Sequence, residues 1–543
     1  MKWKLSLGIG LLALILAGCD RPSSMGGTAA RGAAVKEEGA RPAFPSQEVR
    51  FIYPRPGTLY PADFRSPHFR WAAPTEQVAS WHVTLKVQGH EEDVSTTTEK
   101  DIWRPDRAVW ESLKQKSLES GRTIVARVEG LSAEPSRQVV AVGEVRFGVS
   151  EFPVAASILY RQVPLPIPGV EGHELIRWDL GDVASDNEPR TLLTGLTSCL
   201  NCHASSLDGR VVGFDINYED FNRSRFVIAE MAETIELTWE RHFSWNDGLE
   251  SDENEHGHLF GANTARISPD GRYVVAGGKT DDVILAPLDL PEYSLLGDQT
   301  AGILLIYDVE SGEITPLPGA SDVNYNHGFP DWTPDGESVV FSRAKVDQRV
   351  VGVPDQDDIT EEVLSSLGLG DVDAIDRHLG LDNVKFDLYR IPFNNGDGGV
   401  AKPIPGGAGG GWSNYSPRVS PDGKWIVYTR SRAGSFVRPD ANLYVLPLEG
   451  GEPRPLATNS SRMDTWHSWS PNGKWLVFSS KRDGSFTNMY LTHIDDDGDA
   501  SPAIWLADYR APGLAVNLPE FFPVREGELL EIRLDPRLDV FEE

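Results

Sequence analysis

The chain has 543 residues with 40% hydrophobic and 24% charged content. That is globular composition, and it is too long for one ordinary core. Asp and Glu outnumber Lys and Arg by 81 to 51, for a net charge of -30, so nucleic acid and anionic membrane surfaces are excluded as natural partners.

The N-terminus opens with Lys2 and Lys4 before an apolar run, Leu5 to Leu16, and then Leu16-Ala17-Gly18-Cys19. This run is too short for a permanent membrane span and reads as a signal peptide over residues 1–19. It resembles the bacterial lipoprotein lipobox. The resemblance implies lipid on Cys19, a membrane anchor, and a place in the periplasm-facing cell envelope. Residues 20–46, rich in Gly, Ala, Ser and Pro, read as a flexible tether.

Residues 47–152 carry short runs of period-two alternation, such as Trp81 to Val87 and Thr123 to Val128, separated by Pro, Gly and Asp turns. About a hundred residues of this kind predict a small immunoglobulin- or fibronectin-like β-sandwich, a spacer or docking module.

From 153 to 543 the chain repeats itself. Ser268-Pro269-Asp270-Gly271 returns as Thr333-Pro334-Asp335-Gly336, Ser420-Pro421-Asp422-Gly423 and Ser470-Pro471-Asn472-Gly473, each between two alternating runs. Ser206-Leu207-Asp208-Gly209 and a degenerate copy at 519–527 bring the number to six. Each copy with its following strand pair makes a four-stranded blade. These units resemble the WD40-like repeat of TolB-type and prolyl-oligopeptidase-type propellers. The fold class is therefore all-β: a six-bladed propeller preceded by a small sandwich. The last copy supplies one strand pair, and Leu175 to Leu180 with Arg190 to Leu193 are expected to complete its blade. An acidic insertion, about Lys345 to Asp382, is expected to be helical in part.

Only three cysteines occur, so no disulfide framework is present. Cys199-Leu200-Asn201-Cys202-His203 has the spacing of a c-type haem attachment site: two thiols for the haem vinyl groups and an imidazole for the iron. A thioredoxin-like disulfide lacks its βαβ context, and a zinc site lacks a second Cys pair. His203 falls where the inner strand of blade one begins, which places one covalent haem c at the channel mouth. His327 is the first candidate for the opposite iron ligand, with His258 and His467 behind it; His256, Trp412 and Tyr415 come from the same segments. The run Asp495 to Asp499 reads as a solvated hairpin rather than a calcium loop.

The leading expectation is a membrane-tethered monohaem cytochrome, passing electrons to a redox partner protein that the acidic surface would suit if basic. The alternatives are a haem enzyme and a TolB-like protein-binding scaffold. The first of these is similar in outline to the haem-bearing propeller domain of the hydrazine synthase alpha subunit. No nucleophile elbow is visible, which disfavours a peptidase.

Overall fold

The computed structural model describes residues 47–72, 77–135, 137–165, 174–218, 222–247, 263–285, 296–346, 383–435, 437–525 and 527–539. Cys19, the tether, His256, His258 and residues 347–382 of the acidic insertion lie outside them.

Six four-stranded blades are arranged around an axis, the second and third joined into one eight-stranded sheet by the pairing of Gly302 with Asn326. Their innermost strands are Cys199–Ser205, Asn263–Ile267, Tyr325–Trp332, Ser413–Val419, Asp464–Trp469 and Leu514–Phe522. Each abuts the next, and the last meets the first, so the ring is closed. This is the six-bladed propeller that the repeats predict.

The repeat motif has a local reason. In blade two the Ser268 hydroxyl donates to Asp270 Oδ1 at 2.6 Å and accepts from the Tyr273 N–H at 2.9 Å, while the Arg272 N–H donates to Asp270 at 3.1 Å. The same set recurs at Ser206, Thr333, Ser420 and Ser470. The turn closes on a glycine in the left-handed region, as at Gly271 with φ 79°, which a β-carbon would oppose.

Blade six departs from expectation. Its copy of the motif, Pro523-Val524-Arg525, lacks the hydroxyl and the Asp, and no hairpin forms there. Leu514–Phe522 pairs instead with Ser157–Pro164, followed outward by Arg177–Asp182 and Arg190–Thr194. The blade is thus one C-terminal strand and three N-terminal ones. Ser157–Pro164 is buried along seven of its eight residues, as a strand covered on both faces must be. The chain beyond crosses to blade one, where Glu531–Leu534 runs parallel to Thr234–Leu237. Leu529, Ile532 and Leu538 sink into the core between blades six and one.

Ahead of the propeller, a small sheet (Arg50–Tyr53, Phe69–Ala72, Ile102–Trp103) packs on a larger one built around Ser80–Val87, Ile124–Leu131 and Val139–Val149. The single α-helix among the described residues, Arg107–Ser120, was not apparent in the sequence. Two of its four buried positions are Lys114 and Ser117, so the apolar stripe is weak. Lys114 is satisfied by the carbonyls of Ala62 and Phe64 at 2.8 and 3.0 Å. The sandwich shares one core with the propeller: Trp71, Trp81 and Trp110 join a cluster with Val477, Met489, Leu491, Val516 and Phe521 of blades five and six. Arg65, bonded to Asp508 at 2.7 Å, fastens the seam. No described helix is long and apolar enough to cross a membrane.

Candidate functional site at the propeller axis

Every inner strand is interrupted by a β-bulge: at one distance from the turn between Asn263 and Arg266, Gly328 and Asp331, Tyr415 and Arg418, and Thr465 and Ser468, in blade six between Asn517 and Glu520, and in blade one a residue further from the turn, between Leu200 and His203. In five blades the bulge holds a non-glycine residue at positive φ: Thr264, Phe329, Ser416, Trp466 and Leu518. Such backbone costs of order 1–3 kcal/mol per residue and concentrates at functional sites. In blade one the equivalent residue is Cys202, whose φ stays negative. The bulge re-aims the side chains beyond it. The next residue packs between blades, and the one after it points at the axis.

The residues that reach the axis are Arg266, Asp331, Arg418, Ser468 and Glu520, around a cavity of about 140 Å³ rimmed by Pro269, Pro334, Pro421, Pro471 and Pro523 of the turns. Glu520 Oε1 accepts from Arg266 Nη2 at 2.7 Å and from Arg418 Nη2 at 3.0 Å. Asp331 Oδ2 accepts from the Val419 N–H at 2.7 Å, and its other oxygen is 3.8 Å from Arg418 Nη1. Burial pushes the Asp331 carboxyl up to about 7, against the pull of Arg266 and of the Val419 N–H. Neighbouring strands are stitched at this height: Trp332 Nε1–H donates to the Arg266 carbonyl and Trp469 Nε1–H to the Arg418 carbonyl, both at 3.1 Å. The axial site is therefore a charged, partly solvated pocket in a stiff frame.

Sequence spacing located the right strands and missed this set by one residue. His203 and His467 stand one position before the axial residue, on the face that packs against the preceding blade. His203 lies among Trp178, Phe214 and Phe522, with ring centroids at 4.8, 5.9 and 5.5 Å. Burial drives its imidazole down to about 4. Neither ring nitrogen makes a well-formed hydrogen bond within the protein, the Leu159 main chain offering a weak polar contact. His467 Nε2–H donates to the Val427 carbonyl at 3.0 Å, between blades four and five. His327 Nδ1–H donates to the Gly302 carbonyl at 3.2 Å, between blades two and three. Burial lowers both to about 4. The three candidate histidines thus occupy three separate blade interfaces. Trp412 is exposed and Tyr415 buried.

Cys202 is a free thiol that burial pushes up to about 12, with Asp215 adding to the effect. It is therefore protonated at neutral pH. The Cys-x-x-Cys-His donor set suits a haem chemically, since an unprotonated imidazole and a thiol are both at hand. As folded, the strand does not fit one spatially. The cage around His203 is closed by three aromatic rings, and neither His327 nor His467 faces it. Among the described residues no group of three His, Cys, Asp or Glu could hold a metal ion. The Asp495 to Asp499 hairpin is tied down by Lys474 to Asp496 and by Arg454 to Asp499.

No protein-family model matches the chain, and a search of curated proteins returns no match. Among solved structures, TolB from Acinetobacter baumannii is similar at 14% identity and TM-score 0.39, over 74% of this chain and 79% of that one. An oligogalacturonate lyase in complex with manganese is similar at 14% identity and TM-score 0.35, over 59% and 69%. A puromycin hydrolase is similar at 14% identity and TM-score 0.32, over 56% and 38%.

Proposed function

We propose that the protein is a propeller scaffold of the bacterial cell envelope, tethered by lipid on Cys19, that binds a partner at the turn end of its channel. One observation carries this reading. Arg266, Asp331, Arg418 and Glu520 converge from four blades on one solvent-reaching cavity, and convergent polar groups in a concave site are the usual signature of ligand binding. A stiff ring with a charged hub suits recognition. The test is a photo-crosslinking residue at Leu207, which lines the cavity and is 47% exposed. A discrete adduct in intact cells, absent from a control at Val400 and lost with Arg418→Glu, is expected. No adduct at Leu207 would remove the reading.

The Cys199-Leu200-Asn201-Cys202-His203 motif supports a second reading. In it the protein is a monohaem c-type cytochrome with His203 on the iron, passing electrons to a basic redox partner, or a haem enzyme of similar outline to the hydrazine synthase alpha subunit. The buried imidazole without a well-formed hydrogen bond favours it. A haem would supply one-electron redox chemistry there. The His203 ring would have to leave its aromatic cage to reach it. A pyridine haemochrome spectrum of protein made with the cytochrome c maturation system decides: one covalent haem per chain, or none.

A further inference from the structure

The axial cavity carries a narrower inference, which rests on the scaffold reading above. Arg266, Arg418 and Glu520 stand on blades two, four and six, so none is the neighbour of another along the ring. Their side chains meet only because they cross the channel. Both guanidiniums end on a single atom, Glu520 Oε1. This is the arrangement by which two arginines hold one carboxylate, with the carboxylate supplied by the chain itself.

The donors are not exhausted. Arg266 is nine-tenths buried and its Nε has no hydrogen-bond partner. Asp331 is committed to the Val419 N–H and lies beyond hydrogen-bond range of Arg418. Beside the three-way pair is a void of about 140 Å³, room for about four waters or a few heavy atoms. An ion pair needed only to brace the blades would not require it. Glu520 keeps 17% of its side chain exposed, so it can turn toward solvent without crossing the core.

We propose that the channel end is a receptor for one carboxylate group, and that Glu520 occupies its place until that group arrives. The incoming carboxylate takes the Arg266 and Arg418 bonds, and Glu520 moves aside. Because the external group must displace an internal one, wild-type affinity is weak, and removing the internal competitor strengthens it.

The test uses the chain from Asp20 onward, titrated by tryptophan fluorescence, since Trp332 and Trp469 line the cavity. The probes are sodium acetate, an acetylated tetra-alanine with a free C-terminus, its C-terminal amide, and sodium chloride as the ionic control. Glu520→Gln should bind a carboxylate probe ~10-fold or more tighter than wild type, with amide and chloride inert and with binding lost in Glu520→Gln/Arg418→Met. Acetate binding points to a free small acid. Binding of the peptide acid alone points to the end of a partner chain. Folded Glu520→Gln that takes neither, or takes chloride equally, overturns the proposal. If that variant does not fold, wild type must itself show saturable binding of a carboxylate but not of the amide or chloride, and failure there overturns it as well. The Leu207 adduct is independent: an adduct without carboxylate binding removes this inference and leaves the scaffold, while loss of both removes both.

Discussion

Replacing Asp331 by Asn should stabilise the protein at alkaline pH, although it deletes a charge that faces two arginines. The folded carboxyl holds its proton up to about pH 7 because burial outweighs Arg266 and the Val419 N–H, whereas an unfolded Asp releases it near 3.8. The folded state therefore binds the extra proton between these values. The resulting stability is whole below 3.8 and is lost as pH rises toward 7. At 1.36 kcal/mol per pKa unit, the wild type loses roughly 2.5 kcal/mol at this site between pH 5 and pH 8. Asparagine cannot titrate, and it keeps an oxygen for the Val419 N–H. Urea unfolding followed by tryptophan fluorescence should give similar stabilities for Asp331→Asn and wild type at pH 5. At pH 8 the variant should lead by about 2–3 kcal/mol. A gap that does not change with pH, or one that moves the other way, would refute a proton-holding Asp331.

His467 works in the opposite sense. Its folded value is about 4 against an ordinary 6.5, so its contribution is present above 6.5 and is lost as pH falls toward 4. His467→Phe should give up about 1 kcal/mol at pH 7.5 with the Val427 bond, then gain about 2 kcal/mol relative to wild type by pH 5. Urea midpoints at both pH values check it, and a parallel fall of the two proteins would contradict it. At the C-terminal strap, Ile532→Ala should cost about 2–4 kcal/mol as a buried side chain is truncated. Arg533→Ala, 57% exposed, should stay within about 0.5 kcal/mol. Equal effects at 532 and 533 would mean the strap does not seal blade six to blade one.

The ring of blades was legible because each motif is a local device: one hydroxyl, one carboxylate and one glycine fix a turn regardless of what surrounds it. The blade-six assignment failed for the matching reason. Where the motif decays at Pro523-Val524, the local signal vanishes, and the outcome depends on a pairing with Ser157–Pro164 across the length of the chain. The axial residues were missed by a single position. Position counted from the turn places His203 and His467 at the channel mouth without fixing the face each takes; the residue after His467 is the one that reaches the axis, and the inserted residue of the bulge sets the faces beyond it. That insertion is a backbone event at Thr264, Phe329 or Trp466, residues with no glycine to announce a positive φ. The helix Arg107–Ser120 was invisible because its buried face includes Lys114, whose charge is accommodated by main-chain carbonyls that only the folded sandwich provides.

The one-plus-three composition of blade six makes the order of events along the chain matter. Three of its strands are made early and their inner partner, Leu514–Phe522, is made last, so the ring stays an open arc until the final tenth of the chain has arrived. His203 and its neighbours form the joint between those two ends, with Phe522 as one wall of the cage. Any group that must reach His203 has its window before Leu514–Phe522 docks, while the arc is open. Once Phe522 seats, the joint is shut, and access is governed by the lifetime of the closed ring rather than by diffusion to its surface.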